Sequence, residues 1–257
     1  MSKVDPGIKA LLDEKLLEFN RPGFIEADPV AVPHRFSRKE DIEIAGFLAA
    51  TIAWGRRDLI VRAGHGIMDL MDDAPYEFVT GANEEELERL RGFVYRTFQG
   101  IDLLGLVLGL RRIYAECGGL ETVMALAESD TDTGPGILRL RREMLATEGF
   151  AGRTAKHIAN PEAGASAKRL NMFLRWMVRR DGAGVDFGIW KSVRPDQLIC
   201  PLDTHTGTVG RKLGLLTRKQ DDWRAALELT EALRKMDPTD PVKYDFSLFG
   251  LGIFEKF

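Results

Sequence analysis

The sequence predicts an all-α fold for this chain of 257 residues. Apolar residues recur at helical spacing along most of its length, and no strand-like alternation of apolar and polar residues runs for more than a few positions. Apolar residues make up 44% and charged residues 29%, which is ordinary globular usage and argues against wholesale disorder. We predict helices, in chain order, over 6–19, 37–54, 57–72, 84–91, 102–116, 120–128, 136–147, 166–180, 205–214, 221–236 and 240–252.

Capping signals and apolar faces support several of these helices. Ser37 and Glu40 stand at capping-box spacing at the start of the second helix, and a nearly continuous apolar run follows, as in a helix buried on most sides. The helix over 221–236 carries apolar residues three or four positions apart on one face. The last helix has Asp240 at the N-cap and Pro241 at the first helical position.

Composition excludes several classes of protein. No apolar run reaches the roughly 18 residues that a membrane span needs, and the N-terminal stretch carries acids where a signal peptide would be apolar. Cys117 and Cys200 are too few for a disulfide framework or a four-cysteine cluster, and four scattered histidines form no metal-ligand pattern. We therefore expect a cytoplasmic protein with no membrane partner, no metal and no cofactor.

Charge is distributed unevenly along the chain. Residues 153–219 contain thirteen Lys or Arg and five acids, a net charge of +8, although the whole chain carries −3. The rest of the chain therefore carries −11. A basic segment inside an acidic protein indicates a localised anionic partner, although a solvated charged surface explains the same count equally well.

Lys168 occupies an unusual position. It lies in the first turn of the helix over 166–180, where the helix dipole and the adjacent Arg169 disfavour a charged ammonium. A neutral amine is what nucleophilic amine chemistry requires. The ordinary alternative is a surface lysine whose stem covers apolar neighbours.

A second polar helix start lies at Asp203, in the string "PLDTHTGTVGRKLGL" of residues 201–215. Asp is among the best N-cap residues, so capping alone explains it. Together, the turn "PEAGASAK", the lysine helix, and the string "LDTH" leading into "VGRKLGL" resemble the helix-hairpin-helix DNA glycosylase superfamily. The gap of 35 residues between Lys168 and Asp203 is similar to that of the archaeal 8-oxoguanine glycosylase branch, and other segments resemble an uncharacterised bacterial family placed next to that branch.

The resemblance implies an architecture of two helical lobes with a cleft between them. One lobe would span residues 38–147. The other would combine 1–37 with 148–257, and would contain a helix-hairpin-helix motif at about 152–180 and the segment 201–215.

The resemblance also implies base-excision repair of double-stranded DNA that contains a damaged base, by a nucleoid-associated monomer. Lys168 would attack the sugar and form a Schiff base, and Asp203 would stabilise the oxocarbenium character of the sugar. An oxidised purine, 8-oxoguanine above all, would be the substrate. The residues predicted to contact DNA are Gly164, Ser166, Arg169, Arg175, Thr204, His205, Arg211 and Lys212.

Four residues are predicted to line a pocket for the extruded base, as stacking surfaces or as a polar selector. Each has an ordinary structural alternative, a core position for an aromatic ring and a cap or ion pair for the acid. The four residues are Trp54, Phe173, Asp245 and Phe249.

Two other functions remain open from the sequence. A non-catalytic protein with the same fold would bind duplex DNA in a salt-sensitive way and release no base. A helical scaffold would use Lys168 and Asp203 only as an ion pair.

Overall fold

The computed structural model describes residues 5–257 and shows a mostly helical chain, as predicted. Its α-helices are α1 Pro6–Phe19, α2 Lys39–Thr51, α3 Arg57–Leu70, α4 Pro75–Gly81, α5 Glu84–Arg89, α6 Gly100–Glu116, α7 Leu120–Met124, α8 Gly134–Leu145, α9 Lys168–Val178, α10 Thr204–Lys212, α11 Trp223–Arg234 and α12 Asp245–Ile253.

Short elements connect these helices. Two strands, β1 (Val94–Tyr95) and β2 (Phe98–Gln99), pair antiparallel around a two-residue turn that the sequence pattern did not predict. The 3₁₀ helices are Pro22–Ala27, Pro29–Ala31, Pro33–Arg35, Leu90–Gly92, Gly152–His157, Pro161–Ala163, Pro195–Gln197 and Pro241–Tyr244.

The chain forms two compact units, and neither is one continuous stretch. The first unit contains the described residues up to Phe24, then Ala127–Gly134 and Asn160–Phe257. The second contains Ile25–Leu126 and Pro135–Ala159. These bounds differ from those of the predicted lobes, because segments 25–37 and 148–159 pack with the second unit and 127–134 packs with the first.

The core of the first unit joins helices from both ends of the chain. Leu12 of α1 is fully buried in one apolar cluster with residues of α10, α11 and α12. The Ser247 hydroxyl of α12 donates a hydrogen bond of 2.6 Å to the Leu12 carbonyl. Gly250 allows close packing of α12 on α1, since a Cβ atom there would lie 2.0 Å from the Phe19 ring. The N-terminal helix is therefore part of the unit that carries Lys168 and Asp203.

The second unit contains α2, which is buried from Ile42 to Thr51, as the continuous apolar run predicts. The predicted capping box at Ser37 and Glu40 is wrong. The N-cap is Arg38 and no side chain caps the helix. The Glu40 carboxylate instead accepts a hydrogen bond from Arg38 Nε at 3.2 Å.

The segment predicted as the first helix of a hairpin is not α-helical. Residues Gly152–His157 form a 3₁₀ helix of the second unit, whereas α9 belongs to the first unit. The Ala155 carbonyl accepts a hydrogen bond of 2.8 Å from Arg141 of α8. In residues 5–257, no helix is both long and apolar enough to cross a membrane.

Candidate active site

Lys168 and Asp203 meet at the starts of two helices of the first unit. Lys168 is the first residue of α9, and Asp203 is the N-cap of α10. Lys168 Nζ lies 3.5 Å from Asp203 Oδ2, and the two side chains are 25% and 27% exposed. The amine and the carboxylate are thus close together and both within reach of solvent.

The two carboxylate oxygens of Asp203 have different partners. Oδ1 accepts hydrogen bonds from the backbone N–H groups of His205 and Thr206, each at 3.0 Å. These bonds satisfy two of the N–H groups that a helix start leaves without a partner. Because the cap uses Oδ1, Oδ2 faces Lys168. Helix capping and contact with the lysine therefore occur together at this residue.

A chain of hydrogen bonds ties the two helix starts to each other. The Ser166 hydroxyl donates to the Leu202 carbonyl at 3.3 Å, which links the segments that precede Lys168 and Asp203. The buried Asn171 side chain donates to the Ser166 carbonyl at 3.2 Å. Asn171 in turn accepts a hydrogen bond of 2.9 Å from Thr133. These bonds explain why residues 35 positions apart in sequence come together.

Backbone geometry at Ala167 also shapes the site. Ala167 has a φ of 52°, in the left-handed region that costs a residue with a Cβ atom on the order of 1 kcal/mol. It is the N-cap of α9, and its side chain has no acceptor for the first N–H groups of the helix. Strain of this kind is found at functional sites.

Below the pair lies a buried ionic cluster, formed by Arg175, Arg179, Asp186, Asp240 and Asp245. Arg175 contacts Asp245 at 2.5 Å and Asp186 at 3.2 Å. Arg179 contacts Asp186 at 3.0 Å and Asp240 at 2.9 Å. Arg179 also contacts Asp181 at 2.6 Å. Arg175 of α9 and Arg179, the C-cap residue of α9, thus hold four acids of the first unit.

Burial raises the pKa of Asp245 to about 6, although the Arg175 guanidinium and the Lys168 ammonium oppose this rise. The charge of Asp203 adds to it. Burial also raises the pKa of the Cys200 thiol well above its usual value, and Cys200 Sγ lies 4.0 Å from Asp245 Oδ1. Since Asp245 interacts with Lys168 and Asp203, the buried ionic cluster is electrostatically coupled to the exposed pair.

The residues predicted to contact DNA differ in accessibility. Gly164, Thr204, His205 and Lys212 are exposed, whereas Ser166 and Arg169 are half-buried. Burial lowers the pKa of the Arg169 guanidinium from its usual value.

Two of the predicted phosphate contacts need correction. Arg175 is only 4% exposed and bound to two acids, so its guanidinium does not reach a phosphate. Arg211 donates to the carbonyls of Arg218 and Lys219 and pairs with Asp221 at 2.5 Å. Arg211 therefore holds the loop after α10 in place.

The four predicted pocket residues do not form one cluster in the first unit. Phe173 is fully buried against Trp190, with ring centroids 5.4 Å apart, and is a core residue. Asp245 is bound to Arg175 in the buried ionic cluster. Phe249 packs edge-on to Phe24 and Phe254.

The fourth predicted pocket residue, Trp54, belongs to the second unit. Its ring stacks on that of His157 at 5.9 Å and contacts Tyr95 edge-on at 5.5 Å. Trp54 therefore packs on other rings of its own unit, and its stacking on an extruded base stays a prediction.

Sequence reasoning did not identify the buried ionic cluster. One signal was available: Arg175 and Arg179 are four positions apart in a helix whose other residues are mostly apolar, and buried arginines need acidic partners. The acids themselves are up to 70 residues away in sequence, so the pattern does not name them.

Comparison with known proteins identifies a family whose description states no function. No curated protein and no solved structure matches the chain. Residues 28–254 match the model of DUF2400, which is described as a protein of unknown function. Because this match covers most of the chain, the protein belongs to the DUF2400 family.

Proposed function

We propose that this protein is a DNA glycosylase with AP lyase activity, with Lys168 as the nucleophile and Asp203 as the electrostatic stabiliser. One observation carries the proposal. An amine and a carboxylate from distant parts of the sequence lie 3.5 Å apart at two helix starts, with about a quarter of each side chain exposed. Both side chains can therefore be reached from solvent, as a nucleophile and the group that assists it require.

The reaction begins at C1′ of the damaged nucleotide. Lys168 first gives up a proton to solvent, and its neutral amine then forms a bond to C1′ as the N-glycosidic bond breaks. The base leaves with the electron pair of that bond and takes up a proton. The amine then loses a proton, the C1′–O4′ bond breaks, and O4′ keeps the electron pair and takes up a proton. The sugar ring is thereby opened, and a protonated Schiff base forms between Nζ and C1′. A proton then leaves C2′, the C3′–O bond breaks, and the 3′ phosphate departs with the electron pair. Water finally hydrolyses the Schiff base.

Asp203 acts on the charge that develops in the sugar. As the glycosidic bond breaks, C1′ and the ring oxygen gain positive character, and a fixed carboxylate stabilises it. The helix cap holds Oδ1 in place and thereby directs Oδ2 to the side of Lys168. The carboxylate is thus oriented before substrate binds.

The substrate class follows from the resemblance, and 8-oxoguanine in duplex DNA is the lesion to examine first. A base inside a duplex must be extruded before its sugar can be attacked, at a cost of a few kcal/mol. The exposed residues Gly164, Thr204, His205 and Lys212, with Ser166 and Arg169 beside them, are proposed to hold the phosphates.

Borohydride trapping tests the proposal, because it reduces the Schiff base to a stable amine that links protein and DNA. The wild type is expected to form an adduct with an 8-oxoguanine duplex and with an abasic duplex. The Lys168→Gln variant is expected to form none. The matched control is Lys235→Gln, which removes an exposed lysine of the same unit and is expected to trap like the wild type.

Other outcomes separate the competing functions. Base release without trapping would show water as the nucleophile and would overturn the role of Lys168. Salt-sensitive duplex binding without base release, unchanged in Asp203→Asn, would identify a non-catalytic DNA-binding protein. If neither base release nor duplex binding is observed, Lys168 and Asp203 form only a structural ion pair.

A further inference from the structure

We propose that the second unit has a separate surface that contacts the phosphate backbone of duplex DNA. This surface, the hairpin surface, is formed by residues 54–56, by the β1–β2 turn at residues 96–97, and by the 3₁₀ helix Gly152–His157. The inference rests on the proposed function for its partner, but not on Lys168 chemistry.

The three segments of the hairpin surface contact one another. The Tyr95 hydroxyl donates a hydrogen bond of 2.6 Å to the Trp54 carbonyl. A Cβ atom at Gly55 would lie 2.6 Å from Arg96 Nη1, so the Arg96 side chain packs directly on the Gly55 backbone. The Trp54 ring stacks on that of His157. Three segments that are distant in sequence are therefore neighbours in the second unit.

Cations dominate the charge of the hairpin surface. Arg96 and Lys156 are exposed, and within residues 5–257 neither has a hydrogen-bond or ion-pair partner for its side chain. Arg56 is 75% exposed and pairs only with its neighbour Asp58 among the described residues. Arg153 is 46% exposed and contacts the buried Asp102. Of these four cations, Arg56 and Arg153 are each paired with one acid, whereas Arg96 and Lys156 are not neutralised by an ion pair among the described residues.

The backbone of Arg96 has an energetically costly conformation. Its φ is 54°, at the first position of a two-residue turn where glycine, asparagine or aspartate is favoured. Left-handed backbone at a residue with a long side chain costs on the order of 1–2 kcal/mol. Arginine in this conformation makes no hydrogen bond or ion pair among the described residues that offsets the cost. An external anion would offset it.

The buried Asp102 side chain links two segments of the hairpin surface. It accepts hydrogen bonds of 3.0 Å from Gln99 N–H, the Thr154 hydroxyl and Arg153. Burial opposes ionisation, but these bonds and the nearby His157 hold the pKa of Asp102 below its usual value. The charged carboxylate thus joins the hairpin to the Gly152–His157 helix and holds Arg153 in place.

The aromatic residues of the surface favour duplex DNA over a single strand. Single-strand binding surfaces stack bases on exposed rings. Here Tyr95 is buried, and the half-buried Trp54 ring already stacks on His157. Cations without an exposed stacking ring suit a duplex backbone, which is bound through its phosphates.

A salt titration of binding tests this inference. The triple variant Arg56→Gln, Arg96→Gln, Lys156→Gln is compared with Arg62→Gln, Arg89→Gln, Arg142→Gln, which removes three other exposed arginines of the same unit. Both are made in the Lys168→Gln background, and binding to an undamaged duplex is followed by fluorescence anisotropy from about 50 to 200 mM salt. The slope of log K against log salt is negative. Its magnitude is expected to decrease by roughly 0.9 for each phosphate that the protein no longer neutralises, about 2.7 for the triple variant.

Defined results overturn the inference. It fails if the triple variant keeps the slope of the Lys168→Gln parent, if the control variant shows an equal decrease in magnitude, or if single-strand binding weakens more than duplex binding. The single variants Arg56→Gln and Lys156→Gln, each expected to lower the magnitude of the slope by about 0.9, serve if the triple variant does not fold. Slopes of reduced magnitude, together with no trapped adduct from the wild type in the separate borohydride experiment, would support the surface and overturn the glycosylase. A trapped adduct from the wild type, together with unchanged slopes, would do the reverse.

Discussion

At the scale of single residues, Asp203 combines a structural and a chemical task. Its Oδ1 caps α10, and its Oδ2 lies beside the Lys168 amine. An isosteric amide keeps an acceptor for the cap but loses the negative charge. Substitution can therefore separate the two tasks.

We expect Asp203→Asn to keep its stability and to lose base release by a factor of about 10²–10³, as when one group that stabilises a transition state is removed. Asp203→Ala should lose activity similarly and also about 1 kcal/mol of stability, because the cap is gone. Single-turnover base release and urea unfolding measure the two effects. Base release at the wild-type rate in Asp203→Asn would remove Asp203 from the mechanism.

Asp245 makes stability depend on pH. Burial raises its pKa in the folded protein to about 6 from an ordinary 3.8, so between these values the folded state binds the proton more tightly than the unfolded state. Its contribution to stability is therefore full at low pH and is lost as the pH rises through 6.

The Asp245→Asn variant lacks this titration. Its unfolding free energy relative to the wild type is expected to increase between about pH 4 and 7, by up to roughly 3 kcal/mol, since each pKa unit corresponds to about 1.4 kcal/mol. Urea unfolding across this range measures the difference, with the exposed Asp69→Asn as the matched control. A difference that stays constant or falls with pH would contradict a raised pKa.

At the scale of elements, the amphipathic pattern predicted most helices but not every helix start. The first helix was predicted over 6–19 and observed as Pro6–Phe19, because its apolar periodicity and Asp5 cap are local signals. Asp240 stands at an N-cap with Pro241 at the first helical position, as predicted, but the helix is the 3₁₀ helix Pro241–Tyr244. The Asp240 carboxylate binds Arg179 and makes no capping hydrogen bond. Local patterns therefore predict where a helix forms, and distant partners decide which polar groups are left to cap it.

The packing of α12 on α1 depends on Gly250. A methyl group there would lie 2.0 Å from the Phe19 ring, so Gly250→Ala forces the two helices apart. We expect a loss of about 1–3 kcal/mol of stability, as for other overpacked cores. Gly23→Ala, where a Cβ atom meets nothing within 4 Å, should stay close to the wild type in the same urea unfolding measurement. Equal stability of the two variants would contradict the close packing of α1 on α12.

At the scale of the whole molecule, the net charge of a sequence segment differs from the net charge of the region in which that segment lies in the fold. Five of the thirteen cations in 153–219 pair with acids from outside that segment, which offsets most of its net charge. These pairs are Arg153–Asp102, Arg175–Asp245, Arg179–Asp240, Arg211–Asp221 and Arg218–Asp222. The basic segment is also divided, because 153 and 156 belong to the second unit. Its net charge therefore does not describe one surface.

The candidate site likewise depends on contacts between residues that are distant in sequence. Lys168 and Asp203 were predicted from their positions at helix starts and from a resemblance, and the structure brings them within 3.5 Å. The hydrogen bonds from Ser166 to Leu202 and from Asn171 to Ser166 that align them were not predicted, since polar residues in turns have many local partners. The predicted DNA contact of Arg175 is wrong, because Arg175 binds Asp186 and Asp245 and its pattern in the sequence does not show these partners.

Mass spectrometry of the trapped complex tests the central claim most directly. The wild type is reduced with borohydride in the presence of an 8-oxoguanine duplex, digested with protease and nuclease, and the modified peptide is sequenced. The account predicts a sugar remnant on Nζ of Lys168 and on no other amine. A remnant on another lysine or on the N-terminal amine, or no adduct with this or an abasic duplex, would contradict it.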